Sequence, residues 1–95
     1  MTHAIILLPL VHDFAQNKDI ATSIRQKEIM PFLTKNEEVI LDFSGITGST
    51  QSFIHALIAE PLQIYGTVAL KLLKFKSACP ILQTLIGLVI DYSLI

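Results

Sequence analysis

The chain has 95 residues, 52% of them apolar and 16% charged, with a formal net charge of −1. That length supports one small core and hence one domain, 1–95, and seven Lys and Arg are too few to hold nucleic acid by charge. The apolar share sits above the usual ~45–50% and the charged share below the usual ~25%, so more apolar surface is expected than a small core hides. A protein partner or a second copy of the chain, as a homo-oligomer, is expected to cover it.

The single cysteine, Cys79, allows no internal disulfide and suits a reduced cytoplasm. Met1-Thr2-His3 lacks the basic segment that opens a secretory signal. The apolar runs Ala4 to Val11 and Ile81 to Ile95 both fall short of the ~20 residues a membrane span needs. Gln83, Thr84, Asp91, Tyr92 and Ser93 also interrupt the second run, so no membrane contact is expected.

Ala4 to Val11 reads as a first strand, buried on both faces by its continuous apolar character. Pro9 has no N–H for a ladder and favours an edge or the strand's end. A polar connection, His12 to Asn17, leads to a helix over about Ile20 to Leu33 capped by Asp19. In that helix Ile20, Ile24, Ile29, Phe32 and Leu33 point inward and Arg25, Gln26, Lys27 and Glu28 outward. Pro31 kinks its last turn.

After the turn at residues 35–38, Val39 to Phe43 is the second strand and the centre of the sheet. Ser49 or Thr50 caps a second helix, Gln51 to Tyr65, with Phe53, Ile54, Leu57, Ile58 and Ile64 as its buried stripe. Pro61 should kink it, and Gly66 suits its C-terminus. Thr67 to Lys76 reads as a third strand, with Val68, Leu70 and Leu72 on one side and Lys71, Lys74 and Lys76 on a solvated end. Ser77 to Cys79 is a loop. Pro80 fits the first turn of a last helix that runs from about Ile81 to the end and is apolar nearly all round. Strand and helix alternate three times, which predicts an α/β fold: a small βαβαβα domain with a mostly parallel sheet and right-handed crossovers.

The segment from Val39 to Phe53 locates the working end of the molecule. Loops at the carboxyl ends of parallel strands are where open α/β sheets bind ligands. Asp42, Ser44, Gly45, Gly48, Ser49, Thr50, Gln51, Ser52 and Phe53 form a candidate partner- or anion-binding loop, because the helix start offers free N–H groups and a positive dipole end. His55 follows Ser52 by three residues and shares its helix face. Asp42, Ser52 and His55 are the combination a small hydrolase-like enzyme would use. They bring no second carboxylate, orienting group or oxyanion site of their own, so no catalytic residue is assigned and a non-enzymatic role is expected. His3, His12, His55 and Cys79 lack metal-ligand spacing. No phosphate loop or dinucleotide glycine pattern occurs, and neither metal nor cofactor is expected.

From Glu37 onward the chain resembles the STAS-like domains, a bacterial family of undefined function related to the STAS fold of anti-sigma-factor antagonists. The resemblance rests on Val39-Ile-Leu-Asp-Phe-Ser-Gly-Ile46, on Thr50-Gln51-Ser52-Phe53, and on Leu72 to Pro80 with Phe75, Cys79 and Pro80. The preceding helix, with Arg25 near its middle, fits more loosely. It implies an α/β sandwich with a binding loop at the start of the second helix. It also implies a signal-transduction role in which that loop docks on a histidine-kinase-type ATPase. In the antagonists a serine of this loop is phosphorylated. Here Gln51 stands at that serine's place and Thr50 at the place of the acid before it, which leaves Ser49, Thr50 and Ser52 as phosphoacceptors by the resemblance. His55-Ala56 replaces the acidic pair that often follows Ser-Phe in the STAS-like family.

Overall fold

The computed structural model describes residues 2–94. In chain order it contains β1 (Thr2–Ile6), α1 (Leu8–Val11), β2 (Phe14–Ala15), α2 (Lys18–Ile24), a π-helical turn (Arg25–Ile29) and α3 (Met30–Thr34). Then come β3 (Glu38–Asp42), β4 (Gly48–Ser49), α4 (Gln51–Tyr65), α5 (Thr67–Leu72), β5 (Leu73–Lys76) and α6 (Pro80–Ser93). The chain is a mixed α/β fold around a parallel sheet, with strands in the order β1-β3-β5. The expected central strand is therefore central.

The order explains the layering. Both crossovers step the same way across the sheet, and right-handed crossovers that do so place their helices on one face. The registers align His3 with Val39 and Leu73, and Ile5 with Leu41 and Phe75. This face carries the core, where Ile5, Val39, Leu41 and Leu73 are buried. The alternate positions Thr2, Ala4, Ile6, Glu38, Ile40, Asp42, Lys74 and Lys76 lie on the opposite face, and Ile6 is 61% exposed. The expectation that the first strand is buried on both faces is thus corrected: β1 is an edge strand with one bare face. It ends before Pro9, which sits in the first turn of α1.

The short parallel pair β2–β4 has no counterpart in the sequence reading, because two-residue strands leave no periodic signal. It sets the starts of α2 and α4 side by side. Asn17, not Asp19, caps α2: its Oδ1 accepts the N–H groups of Asp19 (2.9 Å) and Ile20 (3.3 Å). The helix then passes Pro31 through the π turn, in which Met30 N–H donates to the Arg25 carbonyl five residues back. A proline lacks an N–H and crowds the carbonyl four residues before it, and a widened turn relieves both.

Two side chains expected to face outward are held by partners instead. Arg25 is only 15% exposed at its side chain; Nη2 lies 3.5 Å from Glu60 and Nη1 donates to the Ala56 carbonyl at 3.0 Å. Glu28 meets His3 Nε2 at 2.7 Å. The His3 ring stacks on Phe32 at 3.9 Å with an interplanar angle of 7°, which ties the edge strand to the helix.

The third strand is shorter than expected. Residues 67–72 form α5 and only Leu73–Lys76 pair with β3. The alternation of Val68, Leu70 and Leu72 is overridden because β3 offers partners to four residues of β5, not ten. Gly66, at φ 58°, lets α4 stop and α5 begin at once. Pro61 lies within α4, which remains one helix, and is buried. Ile64, expected in the buried stripe, is exposed. In α6, Leu82, Ile86, Val89 and Ser93 are buried, while Ile81 and Leu88 are exposed. The sequence reading of the last helix extends to Ile95, which lies outside the described residues. Among those described, no helix is long and apolar enough to cross a membrane.

Candidate functional site

The loop that leaves β3 is built largely from its own polar groups. Asp42 Oδ1 accepts from the Ser44 hydroxyl (2.6 Å) and the Ser44 N–H (2.9 Å). These two bonds, with Lys76 alongside on β5, hold the Asp42 carboxyl below its usual 3.8, outweighing the opposing effect of desolvation. Gly45 turns the chain at φ 80°, and a Cβ there would come within 2.8 Å of Leu8. Ile46 then plugs the loop into the core.

Beyond Ile46 the loop is fastened to the segment before α2. Thr47 N–H donates to the Asp13 carbonyl at 2.7 Å, Thr50 N–H to the Ala15 carbonyl at 3.0 Å, and the Thr47 hydroxyl also reaches Asp13. Gly48 is buried beneath Phe14, whose ring carbons would stand 3.0 Å from an added Cβ. The half-buried Ser49 donates its hydroxyl to the Thr50 carbonyl. Thr50 is the expected cap of α4, its Oγ1 accepting the Phe53 N–H at 3.1 Å. Cys79 donates its thiol to the Thr47 carbonyl at 3.7 Å.

The hydroxyls of Ser44, Thr47, Ser49 and Thr50 are thus engaged in holding the loop. Gln51 and Ser52 stand exposed at the start of α4. Phe53 does not belong to the surface: it is 0% exposed and part of the core, which corrects its placement in a docking loop. The helix period makes the reason plain, since Phe53 precedes Ile54, Leu57 and Ile58 on the inward face. Exposed Leu8 and Phe14 flank the loop where they meet Gly45 and Gly48.

An open concavity of ≈ 420 Å³ lies at the start of α4, lined by Lys18, Gln51, Ser52, His55, Ala56 and Tyr92. His55 Nδ1 and the Tyr92 hydroxyl are 2.9 Å apart. Asp42 is not part of this lining; its carboxylate belongs to the Ser44 turn. The structure therefore brings Ser52 and His55 together but leaves Asp42 elsewhere and turns His55 toward Tyr92. Lys18 and Tyr92 were missed by the sequence reading. They come from the first turn of α2 and the last of α6, and no local pattern links those positions to the loop. Among the described residues no three His, Cys, Asp or Glu side chains converge as a metal site would require.

A search of the curated proteins and one of the solved structures found no significant match. A family model, the STAS-like domain of unknown function (DUF4325), matches residues 20–81. That stretch runs from the first turn of α2 through the loop, α4 and β5 into α6, and covers most of the chain. The chain belongs to this family of STAS-like domains.

Proposed function

We propose that this domain is a non-enzymatic regulatory module that docks on a protein partner through the loop of residues 44–52 and the start of α4. The observation that carries this reading is the loop's construction. Its backbone is pinned to Asp13 and Ala15, and the hydroxyls of Ser44, Thr47, Ser49 and Thr50 are engaged in holding it, so it presents a fixed surface to a partner. A preformed surface loses little freedom on binding. Exposed Leu8 and Phe14 beside it supply apolar anchors. By family resemblance the partner is a histidine-kinase-type ATPase, met in the cytoplasm, where Cys79 stays reduced.

Ser52 is the phosphoacceptor best suited to switch such a contact. Its side chain is exposed, whereas Ser49 and Thr50 are half-buried and hydrogen-bonded. A phosphate there would add a charge of roughly −1.5 to −2 to the docking surface. The test is affinity purification of the tagged chain, with mass spectrometry of its partners and of Ser52. The expected result is an ATPase partner that Phe14→Asp and Ser52→Glu both release. Undiminished capture by both variants would overturn the reading.

A second reading is favoured by the open sheet face. A parallel sheet is ordinarily covered on both sides, and here Ala4 and Ile6 are exposed and Ile40 is only half-buried. A homo-oligomer or larger assembly would cover them. Light scattering that gives the same monomer mass for the native chain and for Ile6→Lys would remove the homo-oligomer version.

A further inference from the structure

We infer that the concavity between the starts of α2 and α4 is a binding site for a phosphate group, either free phosphate or a small phosphomonoester. Its polar lining consists of hydrogen-bond donors with no carboxylate: Lys18, Gln51, Ser52, His55 and Tyr92. Among the described residues no carboxylate oxygen lies within 4.0 Å of the Lys18 ammonium, so its charge is unspent. The acids nearest in sequence, Asp19 and Asp91, do not line the space.

His55 adds a directed donor. Nδ1 is engaged by the Tyr92 hydroxyl at 2.9 Å, so Nε2 is the ring nitrogen left to meet a ligand, as a donor when it carries the proton. The Ser52 hydroxyl and Gln51 amide complete a set of donors from two helices, matched to a group with three terminal oxygens. At ≈ 420 Å³ the space is of small-molecule size. The parallel pair β2–β4 holds it in shape by fixing the segments from which Lys18 and Gln51 emerge.

The inference shares Gln51 and Ser52 with the docking surface but needs no protein partner, so the two fail separately. The test is an amide NMR titration at constant ionic strength and pH 7, with inorganic phosphate and, separately, with glycerol phosphate. The expected result is saturable shifts confined to the surroundings of Lys18, Ser52, His55 and Tyr92, with affinity lowered about tenfold or more by Lys18→Glu. Lys74→Glu, on the far face of the sheet, should leave the curve unchanged. Glycerol phosphate binding more tightly than inorganic phosphate would mark a phosphomonoester site, and the reverse a site for the free ion. Shifts that rise linearly without saturation, or that survive Lys18→Glu in a variant whose spectrum shows it folded, would overturn the inference. Phe14→Asp lies outside the concavity, so its pull-down result reports on docking alone.

Discussion

Phe53 and Ser52 are neighbours in sequence and opposite in consequence. Phe53 is fully buried with Ile54, Leu57 and Ile58 in the core, and truncating such a ring to alanine costs about 3–5 kcal/mol in lost transfer energy and residual cavity. A domain of 95 residues has a total stability of roughly 5–14 kcal/mol, so Phe53→Ala spends a large share of it. With a urea slope of about 1.5–2 kcal/mol/M the midpoint should fall by about 2 M. Ser52→Ala removes an exposed hydroxyl from the first turn of α4 and should change stability by no more than about 0.5 kcal/mol. Urea titrations of both variants, followed by circular dichroism, provide the measurement. A Phe53→Ala midpoint within about 0.5 M of the native chain would refute the placement of Phe53 in the core. Loss of partner capture by Phe53→Ala would then have to be read as loss of a contact rather than loss of fold.

Thr50→Ala should cost about 1 kcal/mol by releasing the Phe53 N–H, seen as a lowered thermal midpoint. Asp42 should titrate below 3.8 in a carboxyl NMR titration, and Ser44→Ala should raise it. Because its folded value is depressed, the stability it contributes is present above 3.8 and is lost as pH falls through the folded value. Arg25→Met should cost about 1–3 kcal/mol in urea unfolding, since the guanidinium that bonds Ala56 and faces Glu60 is gone. Gly66→Ala meets no side chain, yet its positive φ should make the change cost about 1–3 kcal/mol, again measured by urea unfolding.

Much of the loop was legible because its signals are local. A strand ending in Asp42, a Thr50 cap and a helix with Leu57 and Ile58 four and five residues after Phe53 are all written within one or two turns of chain. Phe53 shows the limit of reading by adjacency: its neighbour Ser52 suggested a docking contact, while the helix period had already assigned it to the core. Lys18 and Tyr92 had no such signal, since only the packing of α2 and α6 beside α4 brings them to Ser52. Arg25 and Glu28 looked like an outward charge run. Their partners, Ala56 and His3, lie 31 and 25 residues away in sequence, so only the packing of distant segments brings these contacts together.

The sequence by itself determined the strand–helix alternation, the central strand, the cap and the glycine end of α4, and the position of the loop after the central strand. These follow from side-chain periodicity and from the backbone chemistry of threonine, glycine and proline, which act over a few residues. The tertiary structure alone decided that α5 replaces the larger part of the expected third strand, that β2 pairs with β4, and that the crossover helices fall on one side of the sheet. Those outcomes depend on which strand edges are free to pair and which way the crossovers turn. Both are settled only when distant segments meet.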